Sequence, residues 1–238
     1  MRCDEWIKRR EGTADERYEY CGIAEMISPL TKIISFTCNL EIADRVETMV
    51  FNAGQGARFP VLSALSYLTS DNRIHISPLA LGGREKYDAA HLAAACCALN
   101  GPRLMPYYVE GMWMRNPDNN GLYAVMHGPC ELHTKINNVP VHITEETDYP
   151  FSDKITFTGQ ADSEISFPLV IRLPHGCRDA LVDMPDEAEI NKDTRKITIR
   201  HTWQKMTVIS IRFHFDIRKI EQPPSKTVKG KGAYFKRG

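Results

Sequence analysis

Residues 165–173 read Ile165-Ser166-Phe167-Pro168-Leu169-Val170-Ile171-Arg172-Leu173, with an apolar side chain on every second position. Successive side chains of an extended strand point to opposite faces, so this period predicts a strand with one face in a core. The period returns at Ile209, Ile211, Phe213, Phe215 and Ile217. Shorter runs stand at Val139, Val141 and Ile143 and at Ile155 and Phe157, and Asp, Pro and Gly clusters divide them. Alternating strands separated by turn residues predict an antiparallel β-sandwich over residues 117–221.

Upstream of the turn cluster Asn116-Pro117-Asp118-Asn119-Asn120-Gly121 the period changes. Ile23, Met26, Ile27, Leu30, Ile33 and Ile34 recur at helical spacing, as do Ile42, Val46, Met49 and Val50. Pro29 is expected to kink or interrupt the first of these helices. A third helix is expected from about Asn100 to Met114, bent by Pro106. The segment Gly54–Gly83 reads as a long loop with short elements. Residues 222–238, rich in Pro and Lys, read as a linker into a missing segment. The expected order is therefore helices (residues 1–116), then sandwich, then linker.

Thirty basic residues balance thirty acidic ones in a chain of 238, which gives no electrostatic footprint for nucleic acid or an anionic membrane surface. No apolar run is long enough to cross a bilayer, and the polar start Met1-Arg2-Cys3-Asp4-Glu5-Trp6 is not a signal peptide. Localisation stays open between cytoplasm and periplasm. Seven cysteines at irregular spacing do not form a disulfide framework; reduced thiols or a metal site fit better.

Chemistry concentrates in two short units. Cys96 and Cys97 are adjacent, and Glu19-Tyr20-Cys21 sets a carboxylate two positions from a thiol. Three sulfurs and one carboxylate oxygen, from Cys21, Cys96, Cys97 and Glu19, make up a tetrahedral zinc ligand set. If one of those sulfurs is also open to a substrate, it becomes a metal-held nucleophile.

The wider pattern is more specific. Cys96-Cys97-Ala98-Leu99-Asn100-Gly101-Pro102-Arg103 fits CCxxNxxR, and Glu19-Tyr20-Cys21 stands upstream of it. Asn120-Gly121-Leu122-Tyr123-Ala124, Glu146-Thr147-Asp148-Tyr149-Pro150-Phe151 and Leu169-Val170-Ile171-Arg172-Leu173-Pro174 follow. In order and spacing these segments resemble glycoside hydrolase family 127, the β-L-arabinofuranosidases and their relatives. The resemblance implies a partial (α/α)6 toroid followed by a β-sandwich, in a chain truncated at both ends. It implies Zn2+ held by Glu19, Cys21, Cys96 and Cys97, with Cys96 as the nucleophile of a retaining hydrolysis. It implies Glu5 as acid/base, with Glu11 and Glu16 as competitors. The implied partner is an arabinofuranoside-containing glycan of plant type. A homodimer is compatible with the full-length protein. Asn100 and Arg103 are expected to orient or support.

The alternative is a catalytically incomplete fragment or pseudoenzyme with a structural zinc site. Lone cysteines are usually buried, so Cys38, Cys130 and Cys177 are expected in cores. The eight histidines show no paired ligand spacing. Tyr107, Tyr108 and Trp113 are expected in cores ahead of any sugar site, Asp148–Phe151 as a turn, and Arg115 and Arg172 as solvated or salt-bridged.

Overall fold

The computed structural model describes residues 17–59, 64–70, 87–89, 95–116, 121–204, 206–221 and 233–237. Two compact units divide the chain. One comprises residues 1–37, 45–110 and 219–236; the other comprises residues 38–44, 111–218 and 237–238.

The elements of the helical part are β1 (Arg17–Glu19), α1 (Tyr20–Thr37), α2 (Leu40–Thr48), a π-helical turn (Met49–Gly54), β2 (Arg58–Phe59), β3 (Ala64–Ser66), β4 (Leu68–Ser70), β5 (Tyr87–Ala89), α3 (Ala95–Asn100), a 3-10 turn (Gly101–Arg103) and α4 (Leu104–Glu110). β1 pairs with β4, and β3 pairs with both β2 and β5. On α1 the residues Ile23, Ile27, Thr31 and Ile34 are buried, one per turn, which is the face a 3.6-residue period puts on a core. Tyr108 of α4 is buried, edge-on to Phe51, with ring centroids 5.2 Å apart. Its hydroxyl donates to buried Glu47 at 3.3 Å.

Three expectations need correcting here. α1 runs from Tyr20 to Thr37 without interruption at Pro29, which is exposed. The third helix does not continue to Met114. α4 stops at Glu110, and Trp113 and Met114 belong to a strand. Pro106 lies in the first turn of α4, where no intrahelical N–H is required, so it starts the helix rather than bending it. Cys38 is exposed rather than buried. It follows the end of α1 with φ 49°, the left-handed conformation that closes a helix.

The second unit holds β6 (Trp113–Arg115), β7 (Leu122–Ala124), β8 (Cys130–Ile136), β9 (Val139–Thr147), β10 (Lys154–Ala161), β11 (Ile165–Arg172), β12 (Cys177–Asp183), β13 (Glu189–Lys192), β14 (Lys196–Trp203) and β15 (Thr207–Phe215). They form two five-stranded sheets, ordered β12-β15-β10-β9-β8 and β13-β14-β11-β7-β6. Pairing is antiparallel apart from β7 against β11, which run parallel. The alternating residues Ile165, Phe167, Leu169 and Ile171 join Ile155, Phe157, Ile209, Ile211 and Phe213 in one core. Each such side chain contributes roughly 1.5–3 kcal/mol on burial. Ile217 leaves the expected run. It opens β16 (Ile217–Glu221) after Asp216 and is 71% exposed. In the tail, β17 (Ala233–Arg237) pairs with β16.

Two polar features are buried with the sandwich. Arg172, at 1% exposure, binds Asp44 Oδ1 at 2.6 Å, and the other oxygen of Asp44 binds Arg195. His127 is fully buried between Glu145 Oε1 at 3.2 Å and the Arg172 carbonyl at 2.9 Å. No helix among the described residues is long and apolar enough to cross a membrane.

Candidate metal centre

Glu19 is the last residue of β1. Its register opposite Leu68 on β4, and the bond from Tyr20 N to the Tyr67 carbonyl at 3.0 Å, fix where α1 begins. Cys21 follows in the first turn of α1. Cys96 and Cys97 are the second and third residues of α3, which lies against α1. A strand end, a helix start and a second helix thus deliver four side chains to one point. Their ligand atoms all lie within 4.8 Å of one another.

The individual distances agree with a coordination sphere. Glu19 Oε1 is 3.1 Å from Cys21 Sγ, 3.8 Å from Cys96 Sγ and 3.9 Å from Cys97 Sγ. The two vicinal sulfurs are 3.9 Å apart. Tetrahedral zinc, with bonds of about 2.3 Å to sulfur and about 2.0 Å to oxygen, would separate its ligands by about 3.5–3.8 Å.

The electrostatics also call for a cation. Glu19 is 2% exposed, and the donors it meets among the described residues are three thiols, which are weak. A buried carboxylate so poorly served is costly unless a positive charge joins it. Burial pushes the Cys97 thiol up to about 12, with the charge of Cys96 adding to it. Burial also raises Cys21 far above the ordinary thiol range, assisted by its hydrogen bond to Glu19. Without a cation these groups stay protonated; with one they become the thiolate donors that a soft or borderline metal takes. The Tyr20 hydroxyl, buried alongside, has no hydrogen-bond partner among the described residues. The residues present therefore fit a divalent metal.

Exposure differs among the four. Glu19 and Cys97 are buried, Cys21 is half-buried, and Cys96 is exposed. Asn100 is buried one turn after Cys96, and Arg103 bonds Asn100 Oδ1 at 3.4 Å and Glu25 at 3.0 Å. Glu5, Glu11 and Glu16 lie outside the described residues. A second group of ligands was not anticipated: Glu131, His133 and His142, on β8 and β9. Its signal is the doublet Asn137-Asn138, with φ of 48° and 67°, which makes a tight hairpin and pairs His133 with His142.

Residues 121–215 match the family model of the β-L-arabinofuranosidase GH127 middle domain. Among solved structures, a GH127 β-L-arabinofuranosidase from Geobacillus stearothermophilus T6 superposes with a TM-score of 0.77 at 17% identity, covering 95% of this chain. A glycoside hydrolase gives 0.72 at 18% identity, and a GH127 β-arabinofuranosidase gives 0.68 at 14%, each again covering 95% of this chain. This chain spans only 36–37% of the length of those three. No curated protein matches it. The chain thus shares its fold with part of the β-L-arabinofuranosidase structures, and over residues 121–215 it matches the GH127 middle domain.

Proposed function

We propose that this chain is part of a retaining glycoside hydrolase of the β-L-arabinofuranosidase type, acting on terminal furanosides of plant-type glycans. Cys96 is its nucleophile, and Glu19, Cys21, Cys96 and Cys97 are the ligands of a zinc ion. In this reading the α1–α4 region is the C-terminal part of an (α/α)6 catalytic barrel. The carrying observation is the uneven exposure of the cluster, in which three donors are buried to different degrees while the sulfur of Cys96 belongs to an exposed residue. A purely structural site has no need of an open ligand.

Zinc, when bound, would keep the sulfurs deprotonated at neutral pH. The chain's own groups do the rest. The Cys96 sulfur attacks the anomeric carbon, forming a C–S bond as the C–O bond to the leaving group breaks. A carboxylic acid gives its proton to the departing oxygen, and Glu5 is proposed for that role on the resemblance. The resulting carboxylate then takes a proton from water, which attacks the same carbon and releases the Cys96 thiolate. Two displacements at one carbon retain its configuration. Buried Glu19 and Cys97 hold their positions throughout, and the pairing of Glu19 with β4 fixes one corner of the centre.

A second reading is favoured by coverage. The chain spans 36% of its structural relative, so the activity of that longer protein need not reside in this part alone. The metal would then be structural and Cys96 inert. The test is turnover of an aryl β-L-arabinofuranoside by the zinc-loaded chain and by a longer protein containing it, each with and without Cys96→Ser. Release of the aryl group that is lost in Cys96→Ser, with zinc retained, supports the first reading. No turnover, together with no labelling of Cys96 by a furanose-mimicking electrophile, favours the second.

A further inference from the structure

The outer face of the β8–β9 hairpin carries a ligand set of a different kind. His133 and His142 stand directly opposite each other across the two strands, and Glu131 precedes His133 by two residues on the same face. Glu131 Oε2 is 3.4 Å from His133 Nε2 and 3.8 Å from His142 Nε2. The three ligand atoms lie within 4.8 Å of one another. Two bonds of about 2.0–2.1 Å to a shared cation would set such atoms about 3.3–3.5 Å apart in tetrahedral geometry.

An independent observation points to a missing partner. Among the described residues His142 Nε2, which is buried, has no hydrogen-bond partner, although it sits close to a carboxylate. Buried polar nitrogens are satisfied in nearly all proteins, and a lone one on a half-exposed side chain calls for an explanation. The imidazole rings are stacked, with centroids 4.1 Å apart and 12° between planes. Stacked rings aim their lone pairs side by side, so joint ligation requires one ring to turn about χ2. His133, at 69% side-chain exposure, has the room to do so.

We propose that Glu131, His133 and His142 form a surface site for a divalent transition cation of borderline softness, with Zn2+ as the probe and water completing the coordination. Two imidazoles and one carboxylate suit such ions, whereas Ca2+ and Mg2+ prefer oxygen ligands alone. The site is independent of the thiol centre, which belongs to the other unit of the fold. Its structural effect is to tie β8, the outermost strand of its sheet, to β9.

The experiment is equilibrium dialysis of the full chain against Zn2+ in reducing buffer, beside His142→Gln, His133→Ala and Glu131→Gln. Each histidine variant is expected to hold one equivalent fewer than the parent, and Glu131→Gln to bind that equivalent at least tenfold more weakly. Co2+ provides a second readout. The equivalent lost in the histidine variants must carry visible ligand-field bands and no thiolate-to-metal charge transfer. Denaturant midpoints in excess chelator, equal for parent and variants, exclude misfolding as the cause of any loss. Equal metal content in the parent and both histidine variants would overturn the proposal. So would a lost equivalent that carries the thiolate band.

Discussion

Gly159 and Trp203 meet inside the sandwich with no space for a methyl group between them. A Cβ on Gly159 would lie 2.5 Å from Cζ3 and 2.9 Å from Cε3 of the indole. Trp203 is 1% exposed, stacked on Phe167, and anchored by Nε1–H donating to the Phe167 carbonyl at 3.1 Å. It cannot swing aside as a flexible chain end could. Gly159→Ala is therefore expected to cost about 1–3 kcal/mol through overpacking. Urea unfolding followed by tryptophan fluorescence measures this. An unchanged midpoint would show that the indole is free to move.

Asp44 should be more sensitive than its place near the surface suggests. It faces the fully buried guanidinium of Arg172, and it also accepts hydrogen bonds from Arg195 and from His175 N. Replacing it with Asn leaves a buried cation without its counter-charge. The expected loss is about 3–5 kcal/mol. The double variant Asp44→Asn/Arg172→Met should recover much of it, and equilibrium denaturation of the three proteins tests the pair.

Cys21 and Cys97 are both held protonated by burial when no cation is present. Metal entry must then expel one proton from each, so affinity should rise steeply with pH, these two protons alone contributing about 100-fold per unit around neutrality. Zinc titration in weakly buffered solution should acidify it, and Cys97→Ala should reduce both the proton release and the affinity. A pH-independent affinity would mean that the thiols are already ionised in the free protein.

Cys130 offers an alkaline counterpart away from the metal centre. Burial, reinforced by nearby Glu145, pushes its thiol up to about 11, against the hydrogen bond from Trp113 Nε1 at 3.2 Å. In the unfolded chain the thiol ionises near its ordinary value, about 8.5. Between that value and the folded one the unfolded state binds fewer protons, so stability falls as pH rises through this window and is unaffected below it. Cys130→Ala should be less sensitive between pH 8 and pH 10.5 than the parent, measured as the shift in urea midpoint. Equal slopes would contradict the assignment.

Much of the sandwich was legible because strand alternation is a local signal. Ile165, Phe167, Leu169 and Ile171 reach the core as their spacing demands. The parallel pairing of β7 with β11 was not, since strand direction depends on chain routing that periodicity does not encode. Glu19, Cys21, Cys96 and Cys97 could be grouped from residue chemistry, and the fold brings them together. His133 and His142 show no ligand spacing along the chain. Their proximity is a property of hairpin register, which Asn137-Asn138 sets from outside the pair. Arg172 fell between two readings, because its partner lies 128 positions away.

Glu19 and Cys96 are separated by 77 positions, so any ion that joins them also closes a long loop of polypeptide. By the measure used for covalent cross-links, tying a loop of that size restricts the disordered chain by about 4.5 kcal/mol. The centre would then be a removable buckle. Its strength would be set by how much of the ion the surroundings supply, and a chelator would loosen this part of the molecule without cutting a single bond.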